Sequence, residues 1–287
     1  MHQIKGTLIP IGGNEKKGHD EDEAHSLEFI EEDILYHVVR QSGGKNARVL
    51  VVPAASSIPI ELSEIYIKAF NKLGVDNVKI LNIKTRKDAD KKISLELVKQ
   101  ANCIMFTGGD QRKITSKIKD TQLHELLMDR YLNDESFVLA GTSAGAMAMA
   151  EEMISGGSST EAFFKGTVRM EKGLGLLPRV MIDTHFIQRG RFGRQSEAVA
   201  KFPRLIGFGL SEDTGMIIKN GNECTVIGSG MVIVFDGHKL KHNNEEVLEE
   251  GTPMTMVNLR VHVLSNSDKF NIKKRKVTVL PIEAPFI

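Results

Sequence analysis

Short apolar runs alternate with helix-like segments along the first half of the chain. The apolar runs predict β-strands at residues 7–11, 48–52, 78–83, 103–106 and 137–140. Between these strands, apolar residues recur at helical spacing, as in Leu27, Ile30, Ile34 and Val38 and, more roughly, Leu62, Ile65 and Phe70. Because alternating strands and helices are typical of βαβ units, we predict an α/β fold: a doubly wound, mostly parallel sheet flanked by helices.

The pattern changes after residue 204, where hairpin-like strands replace the βαβ units. Turn signals at Lys219-Asn220-Gly221-Asn222 and Phe235-Asp236-Gly237-His238 separate these strands. We therefore predict an antiparallel C-terminal extension that closes the sheet. A chain of 287 residues can bury the core of one large α/β domain, so we predict a single domain over residues 1–287.

Composition excludes several classes of partner. Lys and Arg number 38 against 37 Asp and Glu, so no overall field favours nucleic acid or an anionic membrane. Cys103 and Cys224 lie in apolar runs without metal or redox spacing, so we expect buried, reduced thiols. The N-terminus lacks the apolar core of a signal peptide, and no run approaches the roughly 20 apolar residues of a membrane span. These features predict a cytoplasmic protein.

Candidate chemistry gathers where strands end, which is where doubly wound sheets bind ligands. Small and polar residues follow three predicted strands, at residues 12–15, 53–57 and 107–111. A fourth strand end, Gly141-Thr142-Ser143-Ala144-Gly145, places a serine between a strand and a predicted helix. Such a turn pushes the hydroxyl outward, so Ser143 is a candidate nucleophile. The alternative interpretation is a glycine-rich connection with a capping serine.

A nucleophilic serine needs a base and an acid that orients the base. Among nine histidines, His185 stands out because it directly follows the apolar run 180–182 in a polar setting. A lone histidine at a strand end is more often structural, so this pairing rests on inferred geometry. The residues alone do not choose the orienting acid among Glu161, Asp183, Glu151 and Glu152.

Four motifs, in this order, resemble the cyanophycinase family of serine peptidases. They are Phe106-Thr107-Gly108-Gly109-Asp110-Gln111, Gly141-Thr142-Ser143-Ala144-Gly145-Ala146, Thr160-Glu161-Ala162, and Asp183-Thr184-His185-Phe186 with residues 188–194. The likeness runs from the Gly12-Gly13 turn to Ser211-Glu212-Asp213-Thr214. It implies a glutamine-amidotransferase-like α/β sandwich, usually dimeric. It also implies Ser143 as nucleophile, His185 as base and Glu161 as the orienting acid.

Further groups are expected to bind the oxyanion and the substrate. The backbone N–H groups of Gly109 and Ala144 are the natural oxyanion donors, since one lies on a neighbouring strand edge and the other follows the nucleophile. Three close guanidiniums repel one another unless anions or solvent compensate them, so we expect carboxylate clamps. The cluster consists of Arg189, Arg191 and Arg194.

The resemblance adds Gln111 and Asp183 as polar substrate contacts. Thr184 stands where some relatives carry glutamine, and we count it among the substrate-binding residues. We expect no cofactor and no metal, because the acidic run at residues 19–23 is typical of a solvated helix start.

These features together predict a serine-type exopeptidase that hydrolyses cyanophycin to β-Asp-Arg dipeptides through an acyl-enzyme. Cyanophycin is a poly-aspartate backbone with arginines on its β-carboxyls. Two alternatives stay open: a peptidase like aspartyl dipeptidase, and a non-catalytic homologue that only binds peptides. A glutamine amidotransferase is not expected, because it would carry cysteine where Ser143 stands.

Overall fold

The computed structural model describes residues 4–17, 33–157 and 163–287. The strands β1 to β5 span Thr7–Ile11, Val49–Val52, Val78–Ile80, Cys103–Phe106 and Val138–Thr142. The helices α1 to α8 span Ile34–Gln41, Pro59–Lys72, Arg86–Ala89, Lys92–Gln100, Gln111–Ile118, Gln122–Asn133, Ala144–Ala148 and Phe192–Lys201. The strands β6 to β17 span Glu152–Gly157, Val168–Lys172, Val180–Asp183, Ile206–Leu210, Thr214–Lys219, Glu223–Gly228, Val232–Asp236, His242–Asn243, Met256–Val257, Arg260–Leu264, Lys269–Asn271 and Lys276–Thr278.

The first five strands form a parallel sheet in the order β3-β2-β4-β5-β1. Their side chains alternate between two hydrophobic clusters, so both faces of the sheet are covered. Ile9, Val51 and Met105 point to the cluster that includes α1 and α2, whereas Leu8, Leu50 and Ile104 point to the opposite cluster. The predicted doubly wound, mostly parallel α/β fold is confirmed.

An antiparallel extension continues this sheet beyond β1, as the sequence predicts. β10 pairs with β1, and β11, β16 and β17 follow in that order to the edge. The sequence did not predict a second, four-stranded sheet in the order β15-β12-β9-β8, in which only β8 and β9 run parallel. A period-two pattern identifies a strand but not the sheet that it joins.

The second sheet packs against the first through a shared hydrophobic cluster. Phe208 of β9 and Phe270 of β16 meet edge to face, with ring centroids 5.8 Å apart. Phe186, which follows β8, packs in the same way on Phe235 of β12. These contacts fix the end of β8 relative to the main sheet.

Several smaller expectations can be compared with the structure. Both cysteines are free and buried, and burial raises the pKa of the Cys103 thiol to about 12. Ile34 and Val38 are buried in α1, whereas Leu27 and Ile30 lie outside the described residues. Over the described ranges, no helix is both long and apolar enough to cross a bilayer.

Candidate active site

Ser143 occupies a strained turn between β5 and α7. Its backbone has φ 51° and ψ −113°, a conformation that a residue with a side chain rarely adopts. The turn is tight because Gly145 packs on β4, where an added Cβ would lie 2.5 Å from the carbonyl oxygen of Phe106. The Ser143 N–H donates to the Ile11 carbonyl at 2.9 Å, which ties the turn to the end of β1.

A hydrogen-bonded chain joins Ser143 to a histidine and a carboxylate. His185 Nε2 lies 2.9 Å from Ser143 Oγ, and His185 Nδ1 lies 2.6 Å from Glu212 Oε1. His185 follows β8 and Glu212 follows β9, so neighbouring strands of the second sheet supply the base and the acid. This is the geometry that a serine needs for proton transfer to a base held in one tautomer.

The turn after β1 contacts both His185 and the Glu212 segment. The Gly12 carbonyl accepts the His185 N–H at 2.8 Å, and the Gly13 carbonyl accepts the Asp213 N–H at 2.9 Å. Asn14 Nδ2 donates to the second oxygen of Glu212 at 3.3 Å. Gly13 has φ +106°, and a Cβ there would lie 2.4 Å from the His185 ring, so this position requires glycine.

Sequence reasoning missed Glu212 and Asn14. Glu161, the acid that the resemblance implies, lies outside the described residues. Glu212 belongs to Ser211-Glu212-Asp213-Thr214, the last segment of the resemblance, and it directly follows a strand end as His185 does. That placement was the available signal. Gln188 adds support, because its side-chain oxygen accepts the Glu212 N–H at 3.2 Å.

The expected oxyanion donors lie on two neighbouring strand ends. Gly109 is exposed, Ala144 is buried at the start of α7, and their backbone N–H groups donate to no other described residue. Gly108 places this loop beside the nucleophile, since a Cβ on it would lie 3.5 Å from Ser143 Cβ. Gln111 is partly exposed, and its amide nitrogen donates to the Ile154 carbonyl at 2.8 Å.

The arginine cluster does not form three free clamps. Arg194 binds Asp183 through two hydrogen bonds, of 2.8 and 2.5 Å, and Arg191 donates to the same carboxylate at 2.9 Å. The sequence does not reveal this pairing, because Asp183 lies at the end of β8 and precedes the arginine cluster. Burial beneath α8 makes the pairing necessary, because an uncompensated buried charge is strongly destabilising. Of these three arginines, only Arg189 is exposed and forms no salt bridge with another described residue.

Two other expected substrate contacts are enclosed by protein. Asp183 and Thr184 are both 0 % exposed, so neither side chain is available to a substrate in this conformation. Asp183 instead accepts the Thr184 N–H at 2.9 Å, besides its two arginines. Their role as direct substrate contacts stays a prediction, and in this structure Asp183 binds Arg191 and Arg194.

Burial and nearby arginines lower the pKa of His185 below its ordinary value of 6.5. Desolvation is the main cause, and the positive charges of Arg189 and Arg191 add to it. The hydrogen bond and charge of Glu212 oppose this shift of the pKa. The imidazole is consequently neutral at pH 7, as a general base must be.

Across the part of the chain that the structure describes, no cluster of three or more His, Cys, Asp or Glu side chains is arranged to hold a metal ion. The acidic run at residues 19–23 lies outside those ranges.

Comparisons with known proteins identify the family of this chain. The model of peptidase family S51 matches residues 24–226. A cyanophycinase from Trichormus variabilis is 35 % identical over 277 residues, covering 96 % of this chain and 88 % of the relative. A cyanophycinase from Geminocystis herdmanii is 33 % identical over 270 residues, covering 94 % and 95 %. The chain therefore belongs to peptidase family S51 and is a serine-type peptidase.

Solved structures agree on the fold. A peptidase from an acI-B1 actinobacterium has a TM-score of 0.58 at 22 % identity, covering 92 % of this chain and 98 % of that one. A putative peptidase E protein from Listeria monocytogenes has a TM-score of 0.51 at 14 % identity, covering 78 % and 98 %. At these identities the likeness supports the α/β architecture alone.

We predict that Gly13→Ala inactivates the protein by displacing the His185 ring. Because a misplacement of about 1 Å can cost about 100-fold, we expect kcat to fall by at least roughly that factor. Gly43→Ala is the matched control, since Gly43 has φ +103° but no atom within 4 Å of the added Cβ. Each variant should lose about 1–3 kcal/mol of stability from backbone strain. Equal activity losses in the two variants would contradict the prediction.

We predict that Arg189→Gln moves the acid limb of kcat/KM to higher pH. The base works when neutral, so activity rises with pH through the pKa of His185, and the lowered pKa places this limb below pH 6.5 in the wild type. Removing a positive charge favours the imidazolium and raises that pKa. A pH profile with a small neutral ester measures the shift. Lys274→Gln, in the turn between β16 and β17, makes the same charge change and should leave the profile in place.

We predict that Asp183→Asn destabilises the fold by about 3–5 kcal/mol, because it leaves the buried guanidinium of Arg194 and the partly buried one of Arg191 without their carboxylate. Urea unfolding measures the change in free energy. Glu96→Gln is the comparison, since Glu96 and Lys99 form a pair whose side chains are 42 % and 55 % exposed. That surface variant should cost less than about 1 kcal/mol. A loss at Asp183 as small as the one at Glu96 would refute the role of Asp183.

Proposed function

We propose that this protein is a serine exopeptidase that hydrolyses cyanophycin and releases β-Asp-Arg dipeptides. The observation that carries the proposal is the chain of hydrogen bonds from Ser143 Oγ through His185 to Glu212. The second support is the position of Ser143 on a strained strand-to-helix turn. The substrate comes from the relatives, which are named cyanophycinases and align with nearly the whole chain.

In the proposed reaction, Ser143 Oγ attacks the scissile backbone carbonyl while His185 Nε2 accepts its proton. The imidazolium then donates that proton to the leaving amine as the C–N bond breaks, which leaves an acyl-enzyme. Water then attacks the ester while His185 Nε2 accepts its proton, the bond between the acyl carbon and Ser143 Oγ breaks, and the imidazolium returns the proton to Oγ as the acid product leaves. Throughout, Glu212 accepts a hydrogen bond from His185 Nδ1, and so holds one tautomer and stabilises the cation.

The proposed oxyanion donors are the N–H groups of Gly109 and Ala144. Two features support them: both groups lack another partner among the described residues, and the loop carrying Gly109 lies beside Ser143. Donors that are fixed before the reaction need no reorganisation when the tetrahedral oxygen becomes negative.

Arg189 is the proposed carboxylate clamp. Each arginine branch of cyanophycin ends in a free α-carboxylate, which a guanidinium binds well. Arg189 is exposed, and its charge acts on the pKa of His185, so it lies near the base. Arg191 and Arg194 contribute indirectly, because their bonds to Asp183 fix the segment that carries Arg189. Gln111 borders the loop of Gly109 and is the proposed polar contact.

The test is an assay of purified protein on cyanophycin, with β-Asp-Arg as the measured product. Ser143→Ala should lower kcat by roughly 10⁴-fold or more. Glu212→Gln should lower it by roughly 10³- to 10⁴-fold, because the neutral amide no longer stabilises the imidazolium. Glu161→Gln is the matched comparison, since the resemblance implies that acid instead.

Each result of this assay has a definite meaning. Loss of activity in Glu161→Gln together with a near-normal rate in Glu212→Gln would return the orienting role to Glu161. Cleavage of short aspartyl dipeptides but not cyanophycin would favour the alternative peptidase. Binding of cyanophycin without turnover, and without labelling of Ser143 by a serine-directed phosphonate, would favour the non-catalytic homologue. The homodimer, the single domain and the cytoplasmic location stay predictions.

A further inference from the structure

Glu15 is a buried carboxylate that the proposed reaction does not use. It is 1 % exposed and lies at the end of the turn after β1. Its Oε2 accepts a hydrogen bond from Thr142 Oγ1 at 2.6 Å, and its Oε1 accepts one from the hydroxyl of Tyr66. Lys17 lies near the same carboxylate, with Nζ 3.3 Å from Oε1.

These contacts explain how Glu15 stays buried as a carboxylate. A buried charge is costly unless hydrogen bonds and an opposite charge compensate it. Here each oxygen accepts from a hydroxyl, and one oxygen also faces an ammonium. Burial, followed by the charge of Glu15, raises the pKa of Tyr66 well above its usual range, so the phenol stays protonated and donates.

The two hydroxyl donors belong to different parts of the structure. Thr142 is the last residue of β5 and directly precedes Ser143. Tyr66 lies in α2, and its hydroxyl is hydrogen-bonded to Glu15 and to none of the reacting atoms. The residues just before Glu15 hold His185 and Glu212 through Gly12, Gly13 and Asn14.

We propose that Glu15 is a positioning residue that fixes Ser143 relative to His185. Its carboxylate clamps Thr142, and therefore the nucleophile turn, to the same short segment that holds the base and the acid. Glu15 touches no reacting atom, so its contribution comes through the distance between Ser143 Oγ and His185 Nε2. The inference rests on the proposed function, since it assigns a role in that serine-dependent reaction.

The two hydrogen bonds that the Glu15 carboxylate accepts can be removed separately, which makes the proposal testable. Thr142→Val keeps the branched shape that suits a strand but removes the hydroxyl, whereas Thr142→Ser keeps the hydroxyl. Tyr66→Phe removes the other hydrogen bond to the same carboxylate but keeps the bond between Glu15 and Thr142. Comparing these variants separates positioning of the serine from general support of the fold.

We expect Thr142→Val to lower kcat by about 10- to 100-fold with KM changed less than about twofold, because misplaced reacting groups slow only the chemical step. Thr142→Ser should stay within about threefold of the wild-type kcat by the same reasoning. Tyr66→Phe should lower Tm, yet its kcat should also stay within about threefold of the wild-type value. The rate of Ser143 labelling by a phosphonate should follow kcat in every variant.

Two results would overturn the inference: a wild-type kcat in Thr142→Val, or losses of kcat in Tyr66→Phe and Thr142→Val that simply follow Tm. If Thr142→Val does not fold, Glu15→Gln replaces it, and labelling must then be slower than in Tyr66→Phe. Wild-type protein that neither labels nor cleaves cyanophycin would instead refute the proposed function. The ratio of variant to wild-type kcat thus tests the positioning role of Glu15, whereas the wild-type rates of cleavage and labelling test the proposed function.

Discussion

The close approach between the turn after β1 and the His185 ring is the constraint on which this site depends. β1 lies between β5 and β10, so the turn that follows it sits between the nucleophile turn and the Glu212 segment. Three consecutive carbonyls, from Ile11 to Gly13, accept N–H groups from Ser143, His185 and Asp213. Glycine at position 13 leaves room for the imidazole in that narrow space. A serine from one sheet and a base from another meet because both are bonded to this one segment.

Electrostatics around the base follow from how the arginines are placed. Asp183 is fully buried and neutralises part of a positively charged cluster that otherwise surrounds His185 on one side. Without this carboxylate, the positive charges of Arg191 and Arg194 would repel each other, and Arg191 would also act on the imidazolium that the proposed reaction forms. With it, both guanidiniums are held by one carboxylate, and Arg189 remains the exposed member of the cluster. The same residue types that look like a binding motif in sequence therefore serve two different purposes.

Local signals in the sequence predicted the elements and part of the site. The strands at 7–11 and 103–106 agree residue for residue with β1 and β4, because a buried parallel strand leaves a continuous apolar run. Ser143 and His185 stand out because each directly follows such a run. Glu212 also follows a strand but does not stand out, because many acids do so. Only the packing of the second sheet brings this one to His185. The resemblance assigned Asp183 to the substrate, and the local sequence does not reveal that its carboxylate is buried and bound by two arginines.

The position of β1 also has a consequence for how the protein becomes active. β1 opens the described chain but pairs with β10, and the Gly12 N–H donates to the Thr214 carbonyl at 2.7 Å. Pairing between such distant segments forms slowly, because a long loop must close before the contacts are made. Synthesis therefore delivers the serine well before the strand that completes its surroundings. A nascent chain that has not yet reached residue 212 carries Ser143 and His185 but cannot form the bond from His185 to Glu212.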